Sequence, residues 1–463
     1  MGQITVLHAL RFDSRATTSH HALCFGRYSE GNRVEYVNVF GLIPTQLDSD
    51  VVVLTYELLG LRNLPFWSSL VKRMSPILRQ SKYRVAMPQD DYSRCAVLDG
   101  FISDFDINAV FSPITRDLHL LYPNSVTAGV HFEEAMTGYF DPQIRDQYGH
   151  FAKPFKDRTI DLGQRVRHLP PQLGLEAGKK GELAIRFADE ARNRGLICDV
   201  STNPAEVFLG DGWFKFLGNC RFTVSRRGGA SIADPKGRLA DRVRRFQLRH
   251  PNASMGEIAK KVSFRGGKQG DFSAISPRLF ESAALGVCQI LEPDEYVEGL
   301  DPWKHYIPLK QDFSNIDEVF RVMQDTDRCE AIALASQIPL LGNPKNTYKS
   351  LVERVLIAGS AQDSSSEFSH FSDSSNDLGL TVSDDDTLKW IQSYVARTFV
   401  KRKTAQATRF LSSGSFLKLD ESDTAMAEWA ERNADTLIRW MEAFESRQLI
   451  VESLMVPWTI AKL

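Results

Sequence analysis

One segment constrains the fold of this chain more than any other: Ser276-Pro277-Arg278-Leu279-Phe280-Glu281-Ser282-Ala283-Ala284-Leu285-Gly286, running straight into Val287-Cys288-Gln289-Ile290-Leu291. Ser276 is a good helix N-cap, Pro277 a good first helical residue, and Gly286 a natural stop, while Leu279, Phe280, Ala283 and Ala284 form one apolar face. The five residues after Gly286 read as a strand buried on both faces. A short helix feeding such a strand is half of a parallel α/β unit. Glu281 stands one turn inside the helix, where a carboxylate can accept from two hydroxyls while the helix N-terminus faces a phosphate. That pairing fits a nucleotide ribose.

The first third of the chain repeats the α/β pattern. Strand signals at 4–10, 33–40, 51–56 and 83–87 alternate with helix signals at 19–29 and 66–78. A fifth strand is expected within 101–115 and a sixth at 126–131, giving a parallel, doubly wound sheet. Ligands of such sheets bind beyond the carboxyl ends of strands, which singles out Asp13 with His20 and His21 after the first strand, and Asp90 and Asp91 after the fourth. The aspartates are equally good helix caps, and the histidines are more often helix-surface residues than bases, although histidine titrates where proton transfer needs it.

At 463 residues the chain exceeds one ordinary core, so two domains and an appendage are expected. Its net charge of -2 gives no global sign of nucleic-acid binding. Six dispersed cysteines with no C-x-x-C point to neither zinc nor a disulfide framework, and a cytoplasmic setting is expected. No window reaches the roughly 18 apolar residues of a membrane span, so work at a membrane would be peripheral, on its inner face.

An aperiodic stretch at 138–155 reads as a hinge. A second α/β pattern follows, with strands at 159–163, 196–199 and 220–224 and helices at 181–194, 204–217, 239–250 and 348–357. Arg226-Arg227-Gly228-Gly229 after the third of these strands has the composition of an anion-binding nest and equally that of a basic turn. The glycine-rich run 264–270 is neither G-x-G-x-x-G nor a P-loop. The expected organisation is therefore a first domain at 1–150, a second at 156–358, an acidic serine-rich linker at 359–387 and a helical tail at 388–463. The tail is amphipathic and basic between 388 and 411, fit either to dock on the protein or to meet an anionic membrane or a partner.

The segment from Ser276 to Ala284 resembles the S-P-R-x-F-E-A-x-A run of bacterial GT-B glycosyltransferases of the spore-maturation and family-four-like, group 1, types. Flanking segments are similar as well: Asp161-Leu162-Gly163-Gln164-Arg165-Val166-Arg167, Gly229-Ala230-Ser231 with Asp234, and His305-Tyr306-Ile307-Pro308-Leu309 with Asp312-Phe313-Ser314-Asn315. The resemblance is strongest over 156–315 and leaves out the tail. It implies two Rossmann-like domains facing a cleft, the acceptor on the first and a nucleotide-diphosphate sugar on the second. It implies a hexosyltransferase-type enzyme acting on a glycan or lipid-linked acceptor in surface polysaccharide or glycoconjugate synthesis, with no metal and no further cofactor.

By that resemblance Glu281 binds the donor ribose and Arg165, Arg167 and Arg226 neutralise the diphosphate, with Ser276, Pro277, Arg278 and Tyr306 as further donor contacts. The second glutamate that retaining members often carry eight residues earlier is Ser273 here. If the reaction inverts, a base must come from Asp13, His20, Asp90 or Asp91. An epimerase or hydrolase on the same fold, and a non-catalytic nucleotide-sugar-binding or scaffolding subunit, are the competing readings.

Overall fold

The computed structural model describes residues 2–360 except 11–15, 42, 45–48, 65, 141, 167–168, 209–210 and 252. Asp13, Arg167, most of the expected linker and the whole expected tail lie outside the described residues.

Six strands, β1 (Gln3–His8), β2 (Arg33–Asn38), β3 (Val51–Leu54), β4 (Tyr83–Ala86), β5 (Ala109–Ser112) and β6 (His131–Glu134), form a parallel sheet in the order β2-β1-β3-β4-β5-β6. The apolar runs of β1, β3, β4 and β5 pack on both faces, with Ile4 and Val6 registered against Val51 and Val53, while the edge strands β2 and β6 are more open. The chain then continues through β7 (Ile160–Arg165), β8 (Cys198–Ser201), β9 (Cys220–Ser225), β10 (Gly228–Ala233), β11 (Lys268–Ala274), β12 (Cys288–Leu291) and β13 (Ile307–Pro308). Five of these form a second parallel sheet, β13-β12-β9-β7-β8, while β10 and β11 pair antiparallel as a separate ribbon. Both parallel sheets are Rossmann-like. In each, strand order reverses once, between β1 and β3 and between β7 and β9. Such switch points open a crevice at the carboxyl edge.

The opening segment folds as its residues dictate, with one exception. Helix Arg278–Ala284 buries Leu279, Phe280, Ala283 and Ala284, and β12 is buried throughout. Gly286 takes a φ of +61°, the left-handed turn a glycine relieves of strain. The Ser276 side-chain cap does not form, because Pro277 already has helical angles, φ -55° and ψ -26°, and itself occupies the cap position.

Other expectations shift too. Pro123 starts a short helix, Pro123–Thr127, and Gly129 turns the chain at φ +74°, so the sixth strand begins at His131 and not near Val126. Gly228 to Ser231 open the strand β10, with Arg226 and Arg227 leading into it. At Gly229 a Cβ would stand 2.2 Å from the Phe272 carbonyl oxygen, which only glycine avoids.

The chain crosses between the halves more than once. Ala230, Ala233 and Phe272 of the ribbon pack into the core of the first sheet beside Tyr92, Leu98 and Tyr122. Helix Tyr348–Ser360 also returns there. Its Arg354 bonds Glu133 at 2.6 Å and the Tyr139 hydroxyl at 3.0 Å, and Tyr348, Leu351 and Val355 join Ile4, Val6 and Phe25 in one core that continues to Phe280.

Candidate functional site

Glu281 is 6% exposed. Its Oε1 accepts from the Thr17 hydroxyl at 2.9 Å and its Oε2 from the Trp213 indole N–H at 2.8 Å. Thr17 heads the helix after β1, so the carboxylate sits where the first half meets the second. The meeting is tight: a Cβ on Gly138 would come within 2.8 Å of both the Thr17 methyl and the Pro277 ring, and Thr137 donates to the Ile275 carbonyl at 2.5 Å.

Cations gather around this carboxylate. Arg278 lies 5.3 Å over the Trp213 ring and donates to Gln164 Oε1 at 3.0 Å. Gln164, at the carboxyl end of β7, in turn donates to the Val224 carbonyl at 2.5 Å, across the second switch point. Arg226 contacts Glu176 and Glu292, each at 3.3 Å, and leaves Nη1 buried without a partner. Lys180 approaches from helix Leu175–Asn193 beside Gly228, where even a Cβ would stand 3.5 Å from its Nζ. Burial first, then repulsion from Arg278 and Arg226, brings the Lys180 ammonium down to about 7, while Glu281 pulls the other way. Like charges held together in this way repel one another in the absence of a counter-ion.

The remaining expected residues fall elsewhere. Arg165 is heavily engaged: Asp199 at 2.8 Å, the Asp199 and Glu206 carbonyls at 2.9 Å, and the Phe208 and Phe216 rings at 4.8 and 4.5 Å. It braces β7 and β8, with four of its five N–H donors already engaged. Tyr306 is buried in the core with its ring 6.1 Å from Tyr296. Ser273 is bound through its hydroxyl and carbonyl by Arg227, whose Nη1 also reaches the Glu295 carbonyl.

In the first half Asp91 is fully buried, accepting from Ser112 at 2.6 Å and Tyr122 at 2.5 Å, and burial raises its carboxyl. It is a core group out of reach of a substrate. Asp90 is exposed, accepts from the Tyr92 hydroxyl at 2.5 Å and has a φ of +52°. His20 lies one turn beyond Thr17, its ring 5.9 Å from Tyr148, and His21 is buried and held down to about 4.

Two residues were missed in the sequence. Lys180 lies in a helix that begins at Leu175, not at 181, and nothing local distinguishes it from a surface lysine. Glu57 could have been found by the same rule that picked Asp90, since it follows β3. It sits at the switch point between β1 and β3. Its Oε1 accepts from the Thr55 hydroxyl at 2.5 Å and the Ala9 N–H at 3.4 Å, while Oε2 is buried and unpartnered. Burial pushes its carboxyl up to about 7. The single Thr55 proton also faces the Leu7 carbonyl at 3.1 Å, so a proton on Glu57 satisfies both contacts at once.

A depression of about 400 Å³ lined by Lys156, Arg221 and Asp327 lies at the amino edge of the second sheet, away from all of these groups. Among the described residues no group of three or more His, Cys, Asp or Glu could hold a metal, and no helix is long and apolar enough to cross a membrane.

No protein-family model matches the chain, and no curated protein matches it. Solved structures do show similarity. HepE of Anabaena in complex with UDP-glucose is similar at 8% identity, over 78% of this chain and 100% of that one, with a TM-score of 0.41. A glycosyltransferase involved in avilamycin A biosynthesis is similar at 11% identity, over 78% and 98%, with a TM-score of 0.38. A putative UDP-N-acetylglucosamine 2-epimerase from Listeria monocytogenes is similar at 10% identity, over 79% and 97%, with a TM-score of 0.35.

Proposed function

We propose that this chain is a metal-independent GT-B-type glycosyltransferase that moves a sugar from a nucleotide-diphosphate donor to a glycan or lipid-linked acceptor. The observation that carries this reading is the grouping of the Glu281 carboxylate with Lys180, Arg278 and the unpartnered Nη1 of Arg226 at the carboxyl edge of the second sheet. A buried carboxylate suits two vicinal ribose hydroxyls, and the cations suit a diphosphate.

The acceptor hydroxyl attacks the anomeric carbon as the bond from that carbon to the diphosphate oxygen breaks. Charge then accumulates on the leaving diphosphate, where preorganised cations stabilise it without reorganising. Arg226, Arg278 and Lys180 fill that role, and Lys180 gains a proton as the anion arrives. Among the described residues, Glu57 is the first-half group suited to take the acceptor proton. It lies at a switch point, keeps an unused oxygen, and titrates near neutrality. With Ser273 tied to Arg227 in place of a second acid, this assignment goes with inversion at the anomeric carbon.

Thermal-shift measurements with nucleoside diphosphates and nucleotide sugars test the donor site, since a ligand of the folded state alone raises apparent stability. Stabilisation by at least one is expected; none at all would dismiss the reading. Donor binding without turnover, unaffected by Glu57→Gln, would favour a non-catalytic binding subunit.

A further inference from the structure

Between β10 and β11 the chain leaves the ribbon as a two-helix arm, Arg238–Arg249 and Met255–Lys261. Its base is fixed to the first half: Asp234 N–H donates to the Tyr92 carbonyl at 2.8 Å, Ala96 N–H to the Pro235 carbonyl at 3.1 Å, and Lys268 Nζ to the Leu120 carbonyl at 2.8 Å. Asp234 also caps the first helix through Leu239 and Ala240. The arm has a small core of its own, Val243, Ile258 and Val262 against Phe246 and Phe264. These apolar side chains are therefore consumed internally, whereas Leu248 is not.

What it presents outward is positive charge. Arg238, Arg245, Arg249, Lys260, Lys261 and Arg265 are exposed, in a chain whose net charge is -2. Only Asp241 and Glu257 are acidic between 236 and 268, and the Glu257 carboxylate is occupied by the Ser254 N–H and hydroxyl. Within this field Leu248 is 58% exposed, with Arg244 and Arg245 one turn before it and Arg249 beside it. An exposed leucine among arginines is the arrangement of an interfacial helix, where the apolar side chain enters the acyl boundary and the guanidiniums meet headgroup phosphates. A surface for single-stranded nucleic acid would offer exposed aromatic platforms, and here Phe246 and Phe264 are partly buried against the arm's own core.

We propose that this arm docks the protein on an anionic lipid surface. Because the base of the arm adjoins the Asp90–Arg94 loop at the carboxyl edge of β4, docking sets the cleft beside lipid-anchored acceptors. That consequence rests on the function proposed above, whereas docking itself does not.

Co-sedimentation of the full chain with phosphatidylcholine vesicles, with and without a minority of phosphatidylglycerol, tests the proposal. Binding only to the anionic vesicles, weakened by salt, is expected. Combined Arg244→Ala, Arg245→Ala and Arg249→Ala should weaken it about a hundredfold, since each basic side chain near such a surface contributes about a factor of five. Leu248→Ser should weaken binding without changing its salt slope. If the triple variant melts early, Lys260→Ala with Lys261→Ala carries the same test, with about a twentyfold loss expected. Wild-type partitioning by folded arm variants would overturn the proposal, as would binding of RNA with no binding of anionic vesicles. No nucleotide enters the assay, so its failure leaves the donor site standing, and a failed nucleotide screen leaves docking standing.

Discussion

The hydroxyl of Thr17 and the carboxylate of Glu281 meet at 2.9 Å, although 264 residues separate them in the chain. The bond ties the first turn after β1 to the carboxylate proposed to hold a ribose. Trp213 holds the other carboxylate oxygen, so the acid is oriented from both sides before any ligand arrives.

Each carboxylate oxygen accepts two hydrogen bonds, so Thr17 and a ribose hydroxyl need not exclude one another. Thr17→Val should therefore change nucleotide affinity by less than about threefold, whereas Glu281→Ala should lower it about tenfold or more through loss of charged hydrogen bonds. Titration calorimetry on both variants separates the two effects. Equal losses would mean that the carboxylate binds only when Thr17 holds it in place.

Burial and its cationic neighbours bring Lys180 down to about 7, and the diphosphate proposed to bind there should restore its charge. Nucleotide binding at pH 8 should then take up a proton, up to about one per site, and affinity should fall as pH rises above 7. Calorimetry in two buffers of different protonation enthalpy measures the uptake. In Lys180→Met it should vanish.

Glu57 works in the opposite sense. Its folded value lies above the ordinary carboxylate range, so the stability it contributes is present at low pH and is lost as pH rises from 4.5 through about 7. Glu57→Gln should flatten that fall, by about 3 kcal/mol at most between pH 5 and 8 in urea unfolding. As the base of the transfer, Glu57 should also make turnover climb with pH through the same window, and the glutamine variant should lose it.

Asp91 should behave as a structural acid. Asp91→Ala takes from the buried Tyr122 hydroxyl its carboxylate partner, while Ser112 keeps Ile114, and is expected to destabilise the fold by about 2 kcal/mol. Nucleotide affinity of the folded fraction should stay unchanged. A folded, stable variant with lost turnover would place Asp91 back in the chemistry.

The sheets were legible because their strands are buried on both faces, as at Val51–Leu54 and Cys288–Leu291, and uninterrupted apolar runs carry that information locally. Glu281 was legible for the same reason, its helix being fixed by Pro277 before it and Gly286 after it. The cations were not. Arg165 stands in a family-like strand, yet two phenylalanines and Asp199 claim it, and these converge only in space. Lys180 becomes exceptional only once Arg226 and Arg278 are folded against it. The ribbon was read as a turn because the feature that decides it, Gly229 against the Phe272 carbonyl, joins residues 43 positions apart.

That ribbon gives the molecule an unusual seam. The backbone passes between the sheets near 150, goes out and back along the ribbon, and passes again before Tyr348, so the halves are laced rather than hinged on a single strap. A fragment cut at 156 would carry Phe272, Ala230 and the Tyr348–Ser360 helix without the surface they lie on. The two sheets are separate in topology but share apolar clusters, and attempts to express either alone should yield sticky, incompletely folded protein.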